Sequence, residues 1–144
     1  MYSETITVFN RHRNNGVDTW YPTVLSGVDL NVDSAAMRAK YGAEAKDKAK
    51  LHIRYSVSDG AIIVGGKVYS LPKTWQGSDH TGITFQDGEL FDFFWQGSWV
   101  DGTVNDEDYR NGFFNYMKQT HDMVFTITSI ARYDCIPHFE IVGA

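Results

Sequence analysis

The sequence predicts a single, mainly β domain with helix in the minority, and three observations predict it. Aromatic residues make up 15% of the chain, and many stand beside β-branched residues or turn formers. Leu51, Ile53, Tyr55 and Val57 alternate with His52, Arg54 and Ser56, the period-two rhythm of a half-buried strand. Short apolar runs are separated by turn signals, among them Asn14-Asn15-Gly16, Gly65-Gly66 and Gln86-Asp87-Gly88. A length of 144 residues suits one such domain and is short for two.

Taken in order, Thr5 to Phe9 reads as a strand that runs into a polar loop from Asn10 to Gly16. Thr19 to Val32 resumes as strand, with Pro22 placing its early part at an edge or a strand start. Residues 33–50 are different material: Ala35, Ala36, Ala39, Ala43, Ala45 and Ala49 are mixed with charges and offer no broad apolar face. That segment is expected to project from the domain as a long loop with helical tendency. Leu51 to Val57 is a strand, and Ala61–Val64 with Lys67–Leu71 a hairpin about Gly65-Gly66. Ile83–Phe85 and Glu89–Trp95 are expected to form a second hairpin. After a loop centred on Trp99, one helix is predicted near residues 106–119, capped by Asn105 and led by Asp106, Glu107 and Asp108. Its apolar face is Tyr109, Phe113, Tyr116 and Met117. Met123–Tyr133 and Pro137–Val142 close the domain as strands.

Composition removes several function classes. Hydrophobic residues at 42% and charged residues at 22% describe a chain that folds. A net charge of −5 leaves no basic excess for phosphates or anionic membranes. One cysteine, Cys135, excludes an intrachain disulfide and a thiol-built zinc site. The first ten residues lack a leader pattern, so the expected place of the protein is the cytoplasm where it is made.

Catalytic and metal motifs are thin. His12, His52, His80, His121 and His138 are scattered without ligand spacing, and Cys135 with His138 supplies two ligands of the three or four a site needs. Ser78, Asp79 and His80 are adjacent, and adjacent residues rarely face one another as a triad must. Asp87, Glu89, Asp92 and Asp101 are the carboxylates available for acid-base work of the glycosidase kind. Gly65-Gly66-Lys67 lacks the spacing of a phosphate loop and precedes a strand. Trp20, Tyr21, Trp75, Trp95 and Trp99 either stack on sugars, as in a carbohydrate-binding module, or fill a β core or an assembly interface; the second use is the commoner one. No catalytic residue, cofactor or metal is expected.

Five stretches taken together carry a resemblance: Ile6-Thr7-Val8-Phe9-Asn10, Trp20-Tyr21-Pro22-Thr23-Val24-Leu25, Tyr41-Gly42-Ala43-Glu44, Phe91-Asp92-Phe93-Phe94-Trp95 and Ile136-Pro137-His138-Phe139-Glu140-Ile141. In this order they resemble the small head-tail connector proteins, often called minor capsid proteins, of tailed phages and prophages of Gram-positive bacteria. The resemblance implies a small antiparallel β-barrel whose copies form a ring beneath the portal, retain packaged DNA and dock the tail. Partners would then be further copies of the chain, portal or adaptor proteins and tail proteins, with DNA passing without specific binding. The location would be the virion, after assembly from the host cytoplasm. The 33–50 excursion is expected to reach a neighbouring subunit or the channel, with Ala35, Met37, Tyr41 and Ala45 as assembly contacts. The alternatives are a tail-completion or terminator protein, which shares the ring design, and a carbohydrate- or receptor-binding module; a small hydrolase is a third reading.

Overall fold

A computed structural model describes residues 2–33 and 48–144. Ten strands carry the architecture: β1 (Glu4–Asn14), β2 (Val17–Val32), β3 (Ala49–Arg54), β4 (Ser56–Ser58), β5 (Ala61–Val64), β6 (Lys67–Val68), β7 (Phe93–Trp95), β8 (Val104–Asn105), β9 (Val124–Tyr133) and β10 (His138–Gly143). Among the described residues two α-helices join them, α1 (Pro72–Gln76) and α2 (Phe113–Thr120). In the large sheet the order is β1-β7-β9-β10-β3-β2, and β1 also pairs with β2, so six antiparallel strands close into a barrel. Closure removes the long exposed edges that an open sheet of this length leaves unpaired. Strands β4, β5 and β6 form a separate three-stranded sheet.

The β1–β2 hairpin is longer than the apolar pattern suggested. Asn10 to Asn14 continue the strand despite their polarity, and the chain turns at Asn15 and Gly16, both with positive φ. Pro22 lies inside β2 opposite Phe9, on a stretch where the other flank of β2 pairs with no described strand. A proline without an N–H is tolerated there. At Gly27 the register of the hairpin slips between Glu4 and Thr5, so Leu25 and Val28, of opposite parity, both reach the interior.

Two apolar clusters lie on opposite faces of the same strands. Ile6, Val8, Leu25, Leu51, Ile53, Phe94, Phe139 and Ile141 belong to the cluster inside the barrel. Phe9, Trp20, Phe93 and Val124 point the other way, onto Phe113 and Met117 of α2. The alternation Val8/Phe9 and Phe93/Phe94 thus serves two cores, which is why β1 is buried on both faces from Ile6 to Arg11.

Three expectations are corrected. Ile83–Phe85 and Glu89–Trp95 do not pair as a hairpin; Gly88–Leu90 is a 3-10 turn, and β7 instead pairs with β1 and β9. Asp92 is the cause, because its carboxylate takes the backbone N–H of Gln86 and of Arg11 and ties the loop to β1. The α-helix does not start at Asn105. Asp106–Asp108 is a single 3-10 turn, Gly112 takes φ 88, and the Asp106 carboxylate caps α2 at the Phe113 N–H, 2.8 Å away. Val57 does not continue β3: the ladder ends at Arg54 and Val57 is 62% exposed in the small sheet.

Gly143 in β10 sits close against the barrel core. A Cβ there would lie 2.9 Å from both Phe125 Cβ and Phe94 Cζ. Gly143→Ala is expected to lower stability by about 1–3 kcal/mol through overpacking, read as a lowered urea midpoint at unchanged slope.

Candidate functional site

Strand β9 is paired on both flanks only over its first residues. Val124–Thr126 pair with β7 and the Ile127 N–H donates to the Asp92 carbonyl, while β10 accompanies β9 to Tyr133. From Thr128 to Tyr133, the flank that faced β7 has no backbone partner among the described residues. An open groove of about 520 Å³ lies at this half of β9. Tyr69, Phe85 and Phe139 give it an aromatic wall, with Tyr69 and Phe139 ring centroids 4.8 Å apart. Its polar lining includes Asp87, Arg132 and Asp134, and Arg132 Nε stands 3.2 Å from Asp134 Oδ1.

Leu71 on the rim of the groove is 67% exposed. Near the β9–β10 turn Ile136 is 76% exposed, and Tyr133, stacked on the His138 ring, 47%. Tyr55 braces the β9–β10 turn, its hydroxyl donating to the Asp134 carboxylate and lying 3.1 Å from the Tyr133 carbonyl. The bond to Asp134 raises the Tyr55 pKa, since it must be given up when the phenol ionises. Exposed aliphatic side chains beside an unpaired strand edge are the ordinary ingredients of a protein-protein contact.

On the outer face of the barrel, Asp29, His52 and Glu140 are cross-strand neighbours on β2, β3 and β10. His52 stands 3.4 Å from Asp29 and 3.6 Å from Glu140, and His138 Nε2 is 3.0 Å from Glu140. That last bond raises the His138 pKa, with help from the Ile136 carbonyl, and holds Glu140 below the usual carboxylate range. Among the described residues no group of three or more His, Cys, Asp or Glu side chains is arranged to hold a metal ion.

The four expected assembly contacts, Ala35, Met37, Tyr41 and Ala45, lie outside the described residues, as does most of the 33–50 segment. Its two ends are described: Val32 pairs with Ala49, and the Asp33 N–H donates to the Lys48 carbonyl at 3.0 Å. Of the sugar-stacking candidates, Trp20 and Trp75 are each 1% exposed and belong to the interior. Ser78, Asp79 and His80 form a local turn in which Asp79 binds the Thr81 N–H and hydroxyl and Ser78 donates to the Trp75 carbonyl. Cys135 is exposed in the β9–β10 turn while His138 is engaged with Glu140. Asp92 is fully buried and away from every groove described above. The groove itself was not foreseen. Tyr69 meets Ile83 as an isolated parallel bridge, a long-range pairing that leaves no periodic trace in sequence.

The model of a family of unknown function, DUF6751, matches the chain over residues 1–144. No curated protein and no solved structure matches it. No helix of the described residues is long and apolar enough to cross a membrane.

Proposed function

The chain belongs to that family, and we propose that it is a structural, self-assembling part of a phage head-tail junction. In this reading it is a stopper-like connector whose copies form a ring below the portal, hold packaged DNA and dock the tail. The neck between β2 and β3 carries the reading. The six-strand ring is complete through Val32–Ala49, and the Asp33–Lys48 bond extends this neck by one step. The resemblance to connectors implies that the segment beyond the neck reaches a neighbour. Support also comes from the β9 flank and the exposed Leu71, Tyr133 and Ile136, a second surface that a neighbouring copy can cover. Two different surfaces on one subunit are what a head-to-tail ring needs.

Deleting Ala36 to Ala45 tests this. The thermal midpoint of the monomer is expected to change little, because the neck bonds remain, while rings on a purified portal, viewed by electron microscopy, are lost. Unchanged rings from a destabilised monomer would sink the reading.

A further inference from the structure

Arg11 is built into the protein in a way the fold does not account for. Its side chain is 10% exposed, and the guanidinium carbon lies 4.6 Å from the centroid of Trp20 and 4.4 Å from that of Phe91. The two rings clamp the planar cation between their faces. Clamped so, it donates no hydrogen bond to any described side chain or carbonyl: Nε is buried without a partner, and the nearest charge is Asp18 Oδ2, 3.6 Å from a terminal nitrogen. A buried guanidinium with unmet donors is costly, and such groups are normally satisfied by protein, water or ligand.

The Arg11 side chain lines a polar pocket of about 340 Å³ together with Asp18, Asp106, Phe91, Phe114 and Asn115. The opposite wall is the first turn of α2. Asp106 takes the Phe113 N–H, but the N–H groups of Phe114 and Asn115 have no acceptor among the described residues. Open amides at a helix N-terminus favour an anion, and here they adjoin an arginine fork. Both acidic residues of the pocket are already engaged. Arg13 holds Asp18 with two bonds of 2.7 and 3.0 Å, and Asp106 also accepts the Trp20 Nε1–H at 2.9 Å.

We infer that this pocket binds a carboxylate, with Arg11 gripping its two oxygens and the Phe114 and Asn115 amides completing the shell. Two arginines against two aspartates leave the pocket formally neutral, so an anion is held there by unmet donors and not by excess positive charge, which suits a monoanionic carboxylate better than a phosphate dianion. Phe91 and Phe114 would flank an apolar stem. The carboxylate belongs either to a free organic acid or to a glutamate side chain of a docked peptide. The inference stands independently of the connector reading.

The test is amide and arginine Nε NMR of the full chain during titration with acetate, with butyrate, with an N-acetylated glutamate amide, and with inorganic phosphate. Saturable shifts are expected at Phe114, Asn115 and the Arg11 Nε–H with butyrate or the glutamate amide, with Kd of roughly millimolar or tighter. Stronger binding of butyrate assigns the free acid, and stronger binding of the glutamate amide the side chain. Asn115→Asp puts a fixed charge at the exposed third position of the helix, where it favours folding, and should weaken binding by about tenfold or more. Arg11→Lys keeps the charge, loses the fork and should do the same. Tighter binding of phosphate, shifts that follow ionic strength alone, or binding untouched by both variants would each overturn the inference.

Discussion

Asp92→Ala is expected to cost about 4 kcal/mol or more, from four buried donors orphaned at about 1 kcal/mol or more each. The donors are the Arg11 N–H and Asn10 Nδ2 at 2.8 Å, the Gln86 N–H at 2.8 Å and Gln86 Nε2 at 2.7 Å. They come from β1 and from the loop that leads to β7, so the carboxylate fastens the loop to the barrel wall. A loss of this size is a large part of the total stability of a small domain, and chemical denaturation would read it as a collapsed midpoint.

The same group sets a pH dependence. Burial pushes the Asp92 pKa up to about 7, against the pull of its four hydrogen bonds. An unfolded aspartate titrates near 3.9, so between roughly pH 4 and 7 the folded chain holds a proton that the unfolded chain has lost. Its contribution is therefore complete below about pH 4 and is lost as pH rises through 7, a fall on the order of 4 kcal/mol. Denaturation midpoints at acid and at mildly alkaline pH should differ in that sense in the native protein and converge in Asp92→Asn. A native protein as pH-insensitive as Asp92→Asn would mean that the four donors outweigh burial.

What the sequence made legible follows from which interactions are local. Leu51, Ile53 and Tyr55 alternate and are buried, and Gly65-Gly66 both take positive φ, because strand parity and turn geometry are written in neighbouring residues. The pairing of β7 is not legible locally because it depends on Asp92 reaching Arg11 on β1, a contact between residues far apart in the chain. The start of α2 is hidden for a similar reason. Asp106 has the position of a first-turn acid in sequence and caps from outside, across the break at Gly112. The Arg11 pocket was invisible: an arginine in a polar run after Phe9 reads as a loop, and only the hairpin register opposite Trp20 turns it inward. The groove beside β9 depends on where β7 stops pairing, which no local pattern encodes.

Trp20→Ala is the second change expected to be severe. The indole is 1% exposed and meets Phe93 edge-on at 5.0 Å, filling the layer between the barrel wall and α2. Truncation removes that burial and leaves a cavity, a loss of about 3–5 kcal/mol. It also strips Asp106 of one donor and Arg11 of one of its two aromatic faces, so the layer loosens where β2, α2 and the pocket meet. Trp20→Phe separates the effects: a ring remains for packing, and losing the Nε1–H bond to Asp106 should cost only about 1–2 kcal/mol. Urea denaturation of the two variants reads the difference directly. A Trp20→Ala protein within about 1 kcal/mol of the native one would show that this residue is not a core element.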